Sequence, residues 1–193
     1  NGFQWDLALH SGLNVPTEGS NAYRIRSGRQ KVSEAPAQAP AVTGRVRYTG
    51  LPGLDVSVFG QFQEDITQES GTEDNSAWFG GATVGFQRGG FGFRGLVGYW
   101  NIDGDEVAMM DRDEQWGFYV EPSYTIPLGE ESKVGIFGRY NWYDYARGEV
   151  SQYDVGLNYW PIDDVVLKAD YSHIDPESSG SDDHFNLGIG YQF

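Results

Sequence analysis

Nine of the chain's 13 basic residues fall into two groups whose placing suits the handling of anions. Arg24, Arg26, Arg29 and Lys31 crowd into one short stretch, while Arg45, Arg47, Arg94, Arg139 and Lys168 stand at alternating positions inside segments of period two. A guanidinium presents a planar fork of N–H donors that matches the oxygens of a phosphate or a carboxylate, so arginines gathered about one space would make an anion path. Alternatively, these cations pair with Asp6, Asp55, Glu121, Asp154 and Asp170, which fall on the same faces, and merely neutralise a wall.

The other carboxylates concentrate in linking segments. Glu64, Asp65, Glu69, Glu73 and Asp74 stand in one, Asp103, Asp105, Glu106, Asp111, Asp113 and Glu114 in or beside the next, and Asp175, Glu177, Asp182 and Asp183 in a third. A solvated acidic rim is the plain reading. Asp103, Asp105, Asp111 and Asp113 could instead offer oxygens to a divalent cation that bridges to anionic lipid, although their spacing lacks the order of an EF-hand loop. With no cysteine, disulfides and thiolate zinc sites are excluded, and no cofactor is expected. Only three histidines are present: His10 at a strand-loop boundary, His173, and His184 next to Asp182 and Asp183. A general base needs hydrogen-bond reach to its target, and nothing in this spacing secures it. No Gly-Xaa-Ser-Xaa-Gly elbow occurs, so no enzyme is expected.

The elements that must carry these residues are strands. Phe185, Leu187, Ile189, Tyr191 and Phe193 alternate with His184, Asn186, Gly188, Gly190 and Gln192, giving one apolar face and one polar or small face. The same period runs through residues 54–63 and 134–143 and through about 3–11, 41–50, 76–87, 91–101, 114–126, 151–160 and 164–173, ten strands in all. Most have about ten residues, longer than the five or six usual in soluble sheets and long enough to cross a bilayer at a tilt. Tight turns at 51–53, 88–90, 127–132 and 161–163 alternate with longer, mostly acidic connections at 12–40, 65–75, 102–113, 144–150 and 174–183. Strict short-long alternation, an even strand count and aromatics such as Trp5, Trp78, Trp116, Trp142 and Tyr191 in the apolar set predict an up-and-down transmembrane antiparallel β-barrel.

Composition agrees. The chain of 193 residues has 27 glycines, 15% aromatics and a net charge of −15, which argues against disorder and against nucleic acid as a partner. No window approaches the 18 to 20 apolar residues of a spanning helix. Neither a basic n-region nor an apolar h-region opens the chain, so no signal peptide is expected within it. A soluble sandwich or lipocalin-like barrel is the alternative, against which strand length and one-ended acidic loops weigh.

The closing Gly188-Ile189-Gly190-Tyr191-Gln192-Phe193 resembles the terminal strand by which Gram-negative outer-membrane proteins are recognised for assembly. Arg26-Ser27-Gly28-Arg29-Gln30-Lys31, Tyr48-Thr49-Gly50-Leu51-Pro52-Gly53-Leu54, Gly117-Phe118-Tyr119-Val120-Glu121-Pro122-Ser123-Tyr124 and Asn158-Tyr159-Trp160-Pro161 together resemble the C-terminal half of porins of the phosphate-selective O and P type. That resemblance implies a passive outer-membrane diffusion channel for small hydrophilic or anionic solutes, commonly a homotrimer, set among lipid and lipopolysaccharide. Such porins usually have 16 strands, so the ten here are expected to be the C-terminal part of a larger barrel, with residues 12–40 able to fold into the lumen. A small closed barrel with a structural, lipopolysaccharide-binding or partner-binding role is the alternative, and an omptin-like rim protease using His173, Asp182, Asp183 and His184 is a further one.

Overall fold

The computed structural model describes residues 2–69, 75–146 and 148–192; Glu73, Asp74 and Phe193 lie outside them. Ten strands form one antiparallel sheet whose spatial order is the sequence order. They are β1 (Phe3–His10), β2 (Ala41–Tyr48), β3 (Leu54–Gln63), β4 (Ala77–Arg88), β5 (Phe91–Ile102), β6 (Glu114–Pro127), β7 (Lys133–Tyr145), β8 (Gly148–Ile162), β9 (Val165–Pro176) and β10 (Asp182–Tyr191). The period-two pattern therefore gives the right elements in the right order. Two connections differ from expectation. The segment 102–113 contains a short helix, α1 (Asp105–Met109), begun at Gly104 and ended by Asp111 at φ 57°. Most of the expected 144–150 loop is strand, because β7 and β8 keep pairing as far as Tyr145 and Gly148.

Register fixes which side chains share a face. Leu7 opposes Gly44, Gly44 opposes Gly60, and Gly60 opposes Gly80. Following such partners across the sheet puts the apolar set on one side and Arg45, Arg47, Arg94, Arg139 and Lys168 on the other. One cavity of about 850 Å³ is lined by polar-face residues from Asp55 of β3 to Lys168 and Asp170 of β9, so the sheet curls around its polar face.

The outward face carries no packed core. Trp5, Leu7, Val58, Val155, Leu187 and Ile189 are all more than half exposed. Aromatics gather at two heights on it. Phe3 meets Tyr48, and Phe86 meets Phe91, near the tight turns. Trp78 meets Tyr99, and Trp116 meets Trp142 at 4.3 Å, near the long loops. Small and aliphatic residues lie between, such as Gly95 and Val97 on β5. From Phe91 to Tyr99 is eight residue steps, about 26 Å along a strand and about 20 Å in height at the usual tilt.

β1 and β10 do not pair with each other, and the sheet is not closed. Every residue of β1 and nearly every residue of β10 is exposed. The buried apolar core lies inside the curl, at the long-loop end, where Val15, Ala22, Tyr23, Ile66, Ala77, Ile102 and Val107 cluster.

Candidate functional site

The polar face is a wall of opposed charges. Arg45 bonds Asp6 at 2.8 Å, Arg47 forms a two-point pair with Asp55, and Arg139 pairs with Glu121, which also draws Arg94 to 3.6 Å. Glu121 is 7% exposed, so two guanidiniums compensate one nearly buried carboxylate. Asp154 accepts from Asn141 and Gln152 at 2.8 Å each, and from the Ser172 hydroxyl. Asp154 stands opposite Arg139 in register, yet the guanidinium turns to Glu121 and stacks over Tyr119 at 4.6 Å. Asn186 holds Asp170 at 2.8 Å. Lys168 faces the large cavity and makes no ion pair among the described residues.

Thus all five basic wall residues named from the sequence occupy the inner face, four of them beside the carboxylates named as their alternative partners. Five cations face five carboxylates there, so this set carries no net charge. Such pairs are partly solvated and contribute little each to stability. Their stronger effect is to fix charged heads at set positions along the wall.

The long first loop folds over this face. Gln63, fully buried at the inner end of β3, accepts from Leu13 N and donates to Leu13 O, both at 2.8 Å. Gly12, at φ 75°, allows the approach: a Cβ there would stand 2.4 Å from the Gln63 side chain. Further along, the loop crosses to β6. Gln115 Nε2 donates to Tyr23 O at 2.7 Å, and its Oε1 accepts from Ile25 N at 3.3 Å. Tyr23 is 1% exposed and adopts φ 54°, a left-handed conformation uncommon for a bulky residue. It is held there by these contacts, by its hydroxyl donating to Glu106 at 3.1 Å, and by Arg112 donating to Ala22 O at 2.7 Å.

These anchors set the loop's cations in different surroundings. Arg24 lies over the Tyr145 ring at 4.7 Å, while Arg26, in the turn Ile25–Gly28, is exposed and borders a cavity against β4 to β7. Arg29 and Lys31 are exposed. Three short turns, at 19–21, 25–28 and 32–34, break the stretch that carries the four.

The remaining candidates separate. Asp103 precedes α1, Asp105 begins it, and Asp111 and Asp113 follow it. Among the described residues no three Asp, Glu, His or Cys side chains converge as metal ligands, these four aspartates included. The histidines also part. His173 bonds Asp183 at 2.7 Å on the outer face, where Asp183 also accepts from the Tyr171 hydroxyl, whereas His184 meets Asp182 at 3.2 Å on the inner face. The two His-Asp pairs thus lie on opposite sides of one sheet. His10 bonds the Thr43 hydroxyl at 2.8 Å at the end of β1.

Residue spacing missed the buried amides Gln63 and Gln115 and a second population of aromatics. Phe59, Phe79, Trp100, Tyr119 and Tyr143 occupy inner-face positions, with Phe79 stacked on Trp100 at 4.8 Å. The available signal was an aromatic at a polar-face position, two residues from a glycine on the same face, as in Phe79 and Gly81 or Gly98 and Trp100.

No protein-family model matches the chain. A protein of Aquifex aeolicus (strain VF5) described as an uncharacterized protein is similar to it, 23% identical over 196 residues, with 88% of this chain and 45% of that protein covered. The chain thus spans about half the length of the curated relative it matches.

Proposed function

We propose that the chain forms part of an outer-membrane β-barrel of the porin type, a passive channel for small hydrophilic solutes. The carrying observation is the sorting of the two faces of one up-and-down sheet: an exposed aliphatic band between two aromatic tiers outside, and charged pairs with an inward-folded loop inside. In water, some thirty exposed large hydrophobics would be a severe aggregation hazard; in lipid they are the solvated surface.

In this reading, strands from the remainder of a longer chain pair with β1 and β10 and complete a barrel of about 16 strands. The free edges support it, since each unpaired backbone group in hydrocarbon costs several kcal/mol. The doubled length of the Aquifex aeolicus relative supports it too. The wall pairs balance, so the anion preference rests on Arg24, Arg26, Arg29 and Lys31 of the inward loop, with Lys168 assisting. No chemical step is assigned to any residue.

Planar-bilayer recording tests the function. Stepwise ion-conducting insertions with a reversal potential favouring anions are expected. A protein that inserts without conducting steps overturns the channel, and a cation-selective reversal potential overturns the anion preference.

A further inference from the structure

Register brings three glycines into one row on the inner face: Gly81 of β4 opposes Gly98 of β5, which opposes Gly117 of β6. The next partner in that row is Tyr143 of β7. Side chains on both flanks lean over the bare backbone. A Cβ at Gly98 would stand 3.0 Å from the Phe79 ring, and one at Gly117 would stand 2.6 Å from the Tyr143 Cβ. Gly98 and Gly117 are therefore the floor of a recess whose sides are Phe79 and Trp100 toward the loop end and Tyr119 toward the turn end, while Gly81 lies outside it, where a Cβ would stand 2.6 Å from the Phe59 ring.

The recess has a volume of about 360 Å³ and is bordered by Ile25 and Arg26 of the first loop. That size lies at the small end of ligand pockets and suits a single ring with a short substituent. Its exposed surface is almost wholly apolar, so it offers too few hydrogen-bond partners for a polyhydroxyl solute. Flat rings gain instead by offset or edge-to-face packing on aromatic side chains. Arginines stand on its loop side, and Asp144, the one carboxylate residue of its lining, belongs by register to the outer face with Trp116. Arg26 is exposed and makes no ion pair among the described residues, and the neighbouring Arg24 lies over Tyr145, another residue of the recess, with its Nε buried and without a hydrogen-bond partner. A guanidinium beside an aromatic slot is complementary to a carboxylate attached to a flat ring.

We infer that this recess is a binding station for small aromatic carboxylates, with the ring over the Gly98–Gly117 floor and the carboxylate on Arg26. The inference rests on the channel reading for its role in uptake, though not for the binding itself. It gives the loop a purpose beyond narrowing the lumen: Gln115 fixes Ile25, and so sets Arg26 over the slot.

The test uses the full chain in detergent micelles, with benzoate as probe, acetate as the charge-only control and benzyl alcohol as the ring-only control. Saturation-transfer NMR is expected to show saturable benzoate binding, weaker benzyl alcohol binding and none for acetate. Arg26→Gln, a change on an exposed side chain, is expected to weaken benzoate about tenfold while leaving benzyl alcohol unchanged. Gly98→Val, which intrudes on the slot, should weaken both. Benzoate transfer undiminished in both variants, as for partition into the micelle, overturns the inference; so does benzoate binding no better than acetate. Bilayer conductance is read separately: no conducting steps with saturable benzoate binding sinks the channel and leaves the recess standing, whereas conducting steps with no preference for benzoate over acetate sink the recess alone.

Discussion

Gln115 holds Tyr23 across 92 residues of sequence, its side-chain amide donating to the Tyr23 carbonyl at 2.7 Å where both residues are buried. The same amide oxygen takes the Ile25 N–H, so one side chain of β6 fastens the inward loop by its backbone at two points. Replacing it by an apolar residue of similar size takes this partner from the Tyr23 and Arg112 carbonyls and from the Ile25 N–H in a place that water enters poorly. Each stranded group costs about 1–3 kcal/mol. Gln115→Leu is therefore expected to release the loop from the wall, raise single-channel conductance and make the 24–31 stretch more sensitive to protease. Conductance equal to that of the parent would show that the loop does not narrow the path.

Glu121 answers two arginines at once, and its removal uncovers both. Glu121→Gln keeps the shape but leaves Arg94 and Arg139 facing the cavity without their shared carboxylate. The reversal potential in a salt gradient is expected to shift toward anions, and Arg139→Gln to shift it the opposite way. The effect should shrink at high salt, since charges separated by more than about 8–10 Å are screened near physiological ionic strength. Neither variant moving the reversal potential would place the selective region elsewhere.

The loop arginines give a different expectation. Arg24, Arg26 and Arg29 lie on the stretch that crosses the inner face, and no ion pair neutralises them among the described residues. Replacing all three by glutamine should lower the anion-to-cation permeability ratio without changing strand content by circular dichroism. An unchanged ratio would return the preference to Lys168 and the wall.

What could be read in advance follows from how strands encode themselves. A side-chain period of two writes the face of every residue into the sequence, so the partition of Arg45, Arg47, Arg94, Arg139 and Lys168 from Trp5, Val58 and Leu187 is legible in the sequence alone. Charge pairing was half legible: Asp6, Asp55 and Glu121 share the right face, but whether Arg139 turns to Glu121 or to Asp154, its partners on either side, depends on competing hydrogen bonds from Asn141, Gln152 and Ser172. The loop was legible only as long and basic. Its path is set by Gln63 and Gln115, two amides that sit 50 and 92 residues from the loop carbonyls they hold, and no local periodicity reports such contacts. The closing of α1 by Asp111 in a left-handed conformation was likewise invisible to alternation.

The assignment of faces to lipid and water has its own test, independent of conductance. Leu157 lies on the outer face of β8 between Tyr153 and Tyr159, and is 45% exposed; Gln152 lies on the inner face and lines the large cavity, donating to Asp154. An arginine at a bilayer midplane costs about 2–4 kcal/mol, falling to about 0–1 near the interfaces. Leu157→Arg should therefore lower unfolding free energy in phospholipid vesicles by about 2–4 kcal/mol. Gln152→Arg should stay within about 0.5 kcal/mol, because its guanidinium can keep the bond to Asp154 in a wet lumen. The pair of urea titrations separates the alternatives by sign and size: in a water-soluble sheet an arginine on the exposed outer face would cost little, and equal small effects of the two changes would remove the lipid from that face.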